Sequence, residues 1–526
     1  MRRATLASLQ HREATITTET ILIRADAILE GFADDDTPIL HHDAAIAVTG
    51  GKVAAIGPWD AMRTAHPGAT VRGGKGMVAI PGLINAHHHV GTTPLQLGSP
   101  DHPLELWFAS RMGFRDLDLR LDTLFSAFEM LASGVTTVQH LHSRVPGSVD
   151  NIVAAGVTVA DAYREIGMRA SYSQAFRDQN RLVYAADEDF TASLPQELQP
   201  ATAAFFQRFT LPLSDQVAVF EGLRAALADD PLVKVQLGPA NLHWLSDQAL
   251  ETTAELSAKY DLPMHLHLVE TAYQHEYARR RTGGTALAHV NRMGLAGRRL
   301  TIGHGVWLTE SDIALCAHTG TRVCHNCSSN FRLKSGLAPV NQLMAAGIGV
   351  ALGMDEAGIN DDRDMLSEMR LVLRTHRVPG IDAPFPTPAQ VLRMATEGGA
   401  ATTPFGETIG HLRPGAWADL VLFDWDAVTR PWQNPVIPLV DVLVQRAKAA
   451  AVKTVMVAGE VVYEDGRFTR IDREAILDAL AAWFGRPLSQ VEQDRWALGD
   501  ALLPHVRRFY DGYLKTPLPR GGPLQG

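Results

Sequence analysis

"MVAIPGLINAHHH", residues 77–89, is where the chain changes texture. Before it lie short alternating runs with glycine turns, "ILIRADAILEG" (21–31) and "AAIAVTGGKVAAIG" (44–57), which read as strands of a small all-β unit. After it, short β-branched runs alternate with longer stretches of helical period. The runs are this one and "GVTTVQHLH" (134–142), "MRASYSQAF" (168–176), "VKVQLGPAN" (233–241), "PMHLHLVE" (263–270), "LTIGHGVWL" (300–308), "TRVCHNC" (321–327) and "GIGVALGMD" (347–355). Segments such as "LDTLFSAFEMLAS" (121–133), "SDQALETTAELSAKY" (246–260) and "ESDIALCAHT" (310–319) separate them. Eight strand–helix units in one block predict an α/β fold, a (β/α)8 TIM barrel, with a doubly wound sheet as the alternative.

Strand texture returns in "ADLVLFDW" (418–425) and "KTVMVAGEVVYEDGRF" (453–468), so one β-sandwich built from both chain ends is expected. The predicted order is an N-terminal tail over 1–18, sandwich over 19–79, barrel over 80–408, sandwich again over 409–470, and a helical, aromatic C-terminal extension over 471–526. About 40 residues, 175–214, follow the third run without an obvious barrel role. Such an insertion lies over the C-terminal mouth of a barrel, or makes a surface or subunit contact.

The 526 residues are 46% apolar and 20% charged, an ordinary globular composition. A net charge of −10 argues against a nucleic-acid or anionic-membrane partner. No apolar run is long enough to span a bilayer, and the N-terminus lacks the apolar core of a signal peptide. The three cysteines, Cys316, Cys324 and Cys327, suit a reducing cytoplasm and read as small buried apolar residues.

Barrel enzymes carry their chemistry where the strands end. Strand alternation lets His87 and His89 face one target while His88 faces away. Taken alone, this pair is a metal seed, a turn or satisfied core histidines. The fifth run ends with His265, His267 and Glu270, the sixth with His304, the seventh with His325 and the eighth with Asp355. Their common placement at one end suits a divalent ion with one open position for water. Glu270, three residues after His267, can lie beside such an ion without ligating it, as a proton shuttle does.

At these residues the chain resembles the amidohydrolase superfamily, in the branch of cytosine deaminase, guanine deaminase and the s-triazine chlorohydrolases. "PGLINAHHH", "SGVTTV", "HLHLVET", "IGHGVWLTE", "CHNCSSNFRLKSG", "GIGVALGMD" and "IGHLRPGAWADLVLFD" occur in family order. The resemblance implies metal ligands at His87, His89, His267 and Asp355. It implies Glu270 as the proton shuttle, His304 as the residue holding the attacking water or substrate, and Asp355 also as a base. His325, Asn326 and Asn330 match a segment that shapes the substrate pocket. Binuclear relatives bridge two metals with a carboxylated lysine ending the fourth strand; here Lys234 stands near its beginning, so one ion per chain is expected, zinc first and iron second. Relatives often carry proline where Cys327 stands, and more often a small residue where Glu356 stands. Glu356 and Trp107, with Phe108 and Phe114 nearby, are candidate substrate contacts, the aromatics being equally the core of a loop helix.

The activity so implied is hydrolytic deamination of a purine, pyrimidine, pterin or triazine, with release of ammonia. Cleavage of a C–Cl, N-alkyl, amide or aryl-urea bond on the same site is the alternative, and a non-catalytic scaffold the remote one. The implied partner is a small molecule, and the implied assembly a homodimer or larger.

Overall fold

The computed structural model describes residues 19–89, 91–142 and 145–514. The expected tail over 1–18 lies outside them.

Parallel strands follow one another in chain order as two arcs. The first holds Leu83–His88, Val135–His142, Arg169–Phe176 and a fourth strand broken into Val233–Val235 and Gly238–Pro239. The second holds Met264–Leu268, Leu300–His304, Arg322–His325 and Val350–Leu352. Single parallel bridges join them at both edges: Leu237 to Met264 and Asn241 to His267 on one side, His88 to Asp355 on the other. The fourth strand was expected as one run. The break falls at Gln236 and Leu237, where the Leu237 N–H turns to the Pro263 carbonyl at 3.2 Å. The strands Leu83–His88 and Val350–Leu352 are buried at every position, as strands of a parallel sheet covered on both faces must be.

Helices lie between the strands, and local chemistry sets their ends. The Ser246 hydroxyl accepts from the Ala249 N–H to start Asp247–Tyr260. Thr309 and Asp312 form a reciprocal cap on Glu310–Thr319, which Gly320 ends at φ 77°.

The strands from the two chain ends form one nine-stranded sheet. Met77–Pro81 is its seam, parallel to Ile21–Phe32 and antiparallel to Leu420–Asp424. The same segment then runs into the first parallel strand, Leu83–His88. Ile23, Ile28, Ile46, Ala79, Leu420 and Met456 share one apolar cluster inside this unit.

A separate apolar cluster caps the C-terminal ends of the parallel strands. It joins the helix Leu104–Ser110, the segment Leu182–Phe206 and the C-terminal helix Gln490–Tyr510. The residues after the third strand therefore pack over the mouth, carrying short helices Asp187–Ala192 and Gln199–Gln207. The aromatic tail packs there too, through Tyr510 and Tyr513.

Candidate functional site

Each inward-facing site residue sits where a parallel strand ends. Three of these ends turn through left-handed backbone without glycine: Val269 at φ 45°, His304 at 69° and Asp355 at 56°. Such conformations cost about 1–3 kcal/mol each and persist where surrounding structure over-determines them. His87 and His89 point into the mouth, as alternation requires. His88 faces the other way, its Nε2 3.2 Å from the Ser126 hydroxyl.

Four donors converge. The Nε2 atoms of His87 and His89 are 3.1 Å apart, as are those of His89 and His267. Asp355 Oδ1 lies 3.2 Å from His89 Nε2 and 3.6 Å from His87 Nε2. The outer ring nitrogens set the tautomers. His89 Nδ1 donates to the Leu141 carbonyl at 2.6 Å, and His267 Nδ1 to the Ala240 carbonyl at 2.8 Å. His87 Nδ1 meets His265 Nε2 at 2.8 Å. His267 thus turns an unprotonated Nε2 lone pair toward this point, whereas His89 Nε2 faces Asp355 Oδ1; burial would lower His89, but the hydrogen bond to Asp355 and that charge raise it, so a metal ion would take the place of its proton. Nitrogen and oxygen ligands at ~2.0–2.2 Å from a tetrahedral ion stand about 3.3–3.6 Å from one another, so the set fits a divalent ion. Backbone carbonyls holding the outer nitrogens are the usual second layer of such a site.

Charge is tuned around this point. Burial holds His87 and His267 well below the ordinary histidine range, and the neighbouring histidines add to it. Burial alone would raise Asp355; bonding to His89, then the charges on His89 and His304 and the Ser329 hydroxyl at 2.6 Å, hold it far below. Glu270 goes the other way, pushed well above the carboxylate range by burial, then by the charges of Asp355 and Glu105. Its Oε1 accepts from the Ser335 hydroxyl at 3.2 Å and stands 3.7 Å from His304 Nδ1. His304 donates through Nδ1 to Asn330 Oδ1 at 2.9 Å, and Asn326 Nδ2 meets its Nε2 at 3.3 Å. Two carboxylates with opposed proton affinities therefore flank one ion position.

Residues 78–462 match the amidohydrolase family. The chain belongs to this family. Residues 44–69, in the terminal sheet, match an imidazolonepropionase-like composite domain of bacteria. Among curated proteins, the chain is 31% identical to a 5-methylthioadenosine/S-adenosylhomocysteine deaminase of Nitratidesulfovibrio vulgaris, over 87% of this chain and 95% of that one. It is 29% identical to a 5'-deoxyadenosine deaminase of Methanothermobacter thermautotrophicus, over 88% and 98%. Among solved structures, an adenosine deaminase from Xanthomonas campestris with bound zinc superposes at a TM-score of 0.73 with 26% identity, covering 88% of this chain and 97% of that one. The fold is also that of a zinc-complexed atrazine chlorohydrolase from Arthrobacter aurescens, at a TM-score of 0.75 and 24% identity over 88% and 99%.

Within this amidohydrolase the ion position opens onto a cavity. His89, His267, Glu270, His304 and Asp355 form its floor. Trp107 and Phe108, on the helix Leu104–Ser110, line it from above while packing in the capping cluster, so they are both wall and loop core. Phe114 is not on this wall; it lines an adjoining cavity. Glu356 reaches the wall and binds Arg111 at 2.8 Å, and that guanidinium lies 4.3 Å over the Trp107 ring. His325, Asn326 and Asn330 are fully buried and off the wall. The two asparagines act on His304, whereas His325 Nε2 faces His376 Nε2 at 2.9 Å.

Sequence reading missed Arg111, His142 and Trp244, which also line the cavity. His142 was within reach: "QHLH" places two histidines two apart at a strand end, the same signal as His87 and His89. Arg111 and Trp244 left no such mark, because each sits in a single 3-10 turn, Arg111–Gly113 and Leu242–Trp244, whose placement only the fold sets.

Proposed function

We propose that this chain is a metal-dependent aminohydrolase that removes the amino group of a purine-type ring as ammonia, with an adenosine-type nucleoside as the first substrate class to try. The observation that carries it is the convergence of three Nε2 atoms and Asp355 Oδ1 beside a buried, proton-retaining Glu270. The names of the curated relatives support the ring class. The two arcs, bridged at both edges, are read as a closed (β/α)8 barrel over residues 80–408, with the terminal sheet unit (19–79 and 409–470) folded as a sandwich and 471–526 as a helical extension. Trp432, Val436 and Ile437, exposed together on one loop, support a homo-oligomer, and three free cysteines support a cytoplasmic enzyme.

His87, His89, His267 and Asp355 would hold the ion, zinc by the nature of these donors. When bound, it lowers the pKa of a water toward neutrality. Asp355, kept ionised, accepts a proton from that water. His304 orients it, itself fixed by Asn330 and Asn326. Glu270, arriving protonated, gives its proton to the ring nitrogen beside the carbon under attack. The carboxylate so formed takes the proton of the hydroxyl now on the attacked carbon and passes it to the amino nitrogen; ammonia leaves as the carbonyl forms, and the proton held on Asp355 resets Glu270. Trp107 and Phe108 cover the ring and keep bulk water out.

The test is ammonia release from zinc-loaded protein across aminated purine nucleosides, free purines, pyrimidines, pterins and triazines. Turnover of a purine nucleoside is the expected result. Release of chloride or an alkylamine from a triazine, with no ammonia from any ring, would overturn it.

A further inference from the structure

Behind the cavity, and separate from it, lies a second set of ligand-type side chains. His325 ends the seventh parallel strand, Cys327 begins the helix Cys327–Arg332, and His376 caps the end of the helix Met365–Thr375. Their exposures are 0%, 0% and 3%. One nitrogen from each histidine and the Cys327 Sγ all lie within 4.8 Å of one another. None of the three has an evident alternative use. His325 is off the cavity wall, and its Nδ1 is buried without a partner. The two histidines face each other through Nε2, where a hydrogen bond employs one lone pair and leaves the cysteine out. The thiol's neighbour is the Thr375 hydroxyl, at 3.4 Å.

We infer that His325, Cys327 and His376 form a second, structural metal site that takes a zinc-class divalent ion through two nitrogens and one thiolate. Two imidazoles and a thiolate are a borderline-soft set, suited to zinc, with one position left for water. Binding would release the Cys327 proton to solvent. One thiolate meets half of a divalent charge, and Glu368, whose carboxyl burial raises to about 7, lies close enough to Cys327 to act on it electrostatically. Glu368 is buried, with Oε1 accepting from the Ser328 N–H at 3.0 Å and Oε2 without a partner. Arg377, next to His376, is exposed. The ion would tie the helix that follows the seventh strand to the helix that follows the eighth. The first of these carries Ser329 and Asn330, which hold Asp355 and His304. The site thus clamps the support of the catalytic residues without touching substrate.

Cobalt distinguishes the two sites, because His87, His89, His267 and Asp355 offer no sulfur; Cys324, whose Sγ lies within 4.8 Å of a His87 nitrogen, serves as the control. Reduced holoprotein exchanged into Co²⁺ should bind two equivalents and show a thiolate-to-metal charge-transfer band in the near ultraviolet. Cys327→Ser should abolish the band and leave one equivalent. His376→Gln should weaken the second equivalent at least ~100-fold and lower the Tm of the zinc form. Cys324→Ser should keep the band. Absence of a sulfur band from wild-type protein at saturating Co²⁺ would overturn the inference. So would a band that survives Cys327→Ser and disappears in Cys324→Ser. Should Cys327→Ser fail to fold, the wild-type spectrum and His376→Gln decide the matter.

Discussion

The two ends of the parallel strands treat buried charge in opposite ways. At the N-terminal end, Arg169 opens the third strand with no exposed surface. Its Nε and Nη2 donate to the two oxygens of Asp419 at 2.7 and 3.1 Å, and its Nη1 donates to the Pro231 carbonyl at 3.0 Å. Asp419 also accepts from the Ala458 N–H at 2.7 Å. Each of these two charges has a partner of opposite sign and a hydrogen-bonding geometry that fits it, and the pair locks the terminal sheet onto the third parallel strand. At the C-terminal end, the Nε2 atoms of His87 and His267 each crowd to 3.1 Å from that of His89. There the local backbone is strained and the carboxylates are pulled apart in proton affinity. Satisfied buried charge builds the fold; unsatisfied, converging charge waits for a ligand.

That contrast can be broken by mutation. The largest effect belongs to the mouth: Glu270→Gln should lower kcat/KM for ammonia release about 10³-fold, the scale of one lost proton-transfer group, with Tm nearly unchanged. A Tm collapse with residual activity would put Glu270 in the structural class. At the other end, Arg169→Met leaves Asp419 buried and unpaired. It should cost about 3–5 kcal/mol in denaturant unfolding while kcat per folded molecule stays within about twofold. The capping cluster should fall between these classes. Trp107→Ala should raise KM about tenfold, ~1.4 kcal/mol, with a small change in kcat, since this ring is wall and core at once.

The smallest effect tests how the C-terminal helix is held. Glu492 accepts from the N–H groups of Ser489 and Asp116, and its Oε1 lies 3.1 Å from Arg486 Nη2. Burial would raise this carboxyl, but those hydrogen bonds, then the charge of Arg486, bring it down from 4.5 to about 2. A depressed folded pKa gives stability that is present above the unfolded value and lost as pH falls through the folded one. Glu492→Gln should therefore cost about 1–2 kcal/mol at neutral pH. The difference from wild type should shrink as pH is lowered from 4.5 toward 2. A constant difference across that range would mean that the side chain acts by packing alone.

Much of the site was legible because strand alternation is local. His87 and His89 had to share a face, and Glu270 had to follow His267 closely. The eight runs were legible for the same reason, their apolar, β-branched character marking strands buried on both faces. Residues reaching the site through other residues were not legible in that way. Asn326 and Asn330 look like pocket residues in the chain, yet their positions in the short turn and helix after the seventh strand aim them at His304. His325 differs again: the strand's last pleat directs it away from the cavity toward His376, 51 residues later.

The sequence alone determined which elements form, their order, and which polar residues end each strand, because pleat, period and caps depend on near neighbours. Tertiary structure alone decided that four strand-end side chains meet at one point, that residues 104–110, 182–206 and 490–510 share a roof, and that His376 faces His325. Those outcomes depend on how distant segments cross. Burial and long-range packing set such crossings, and no local pattern encodes them.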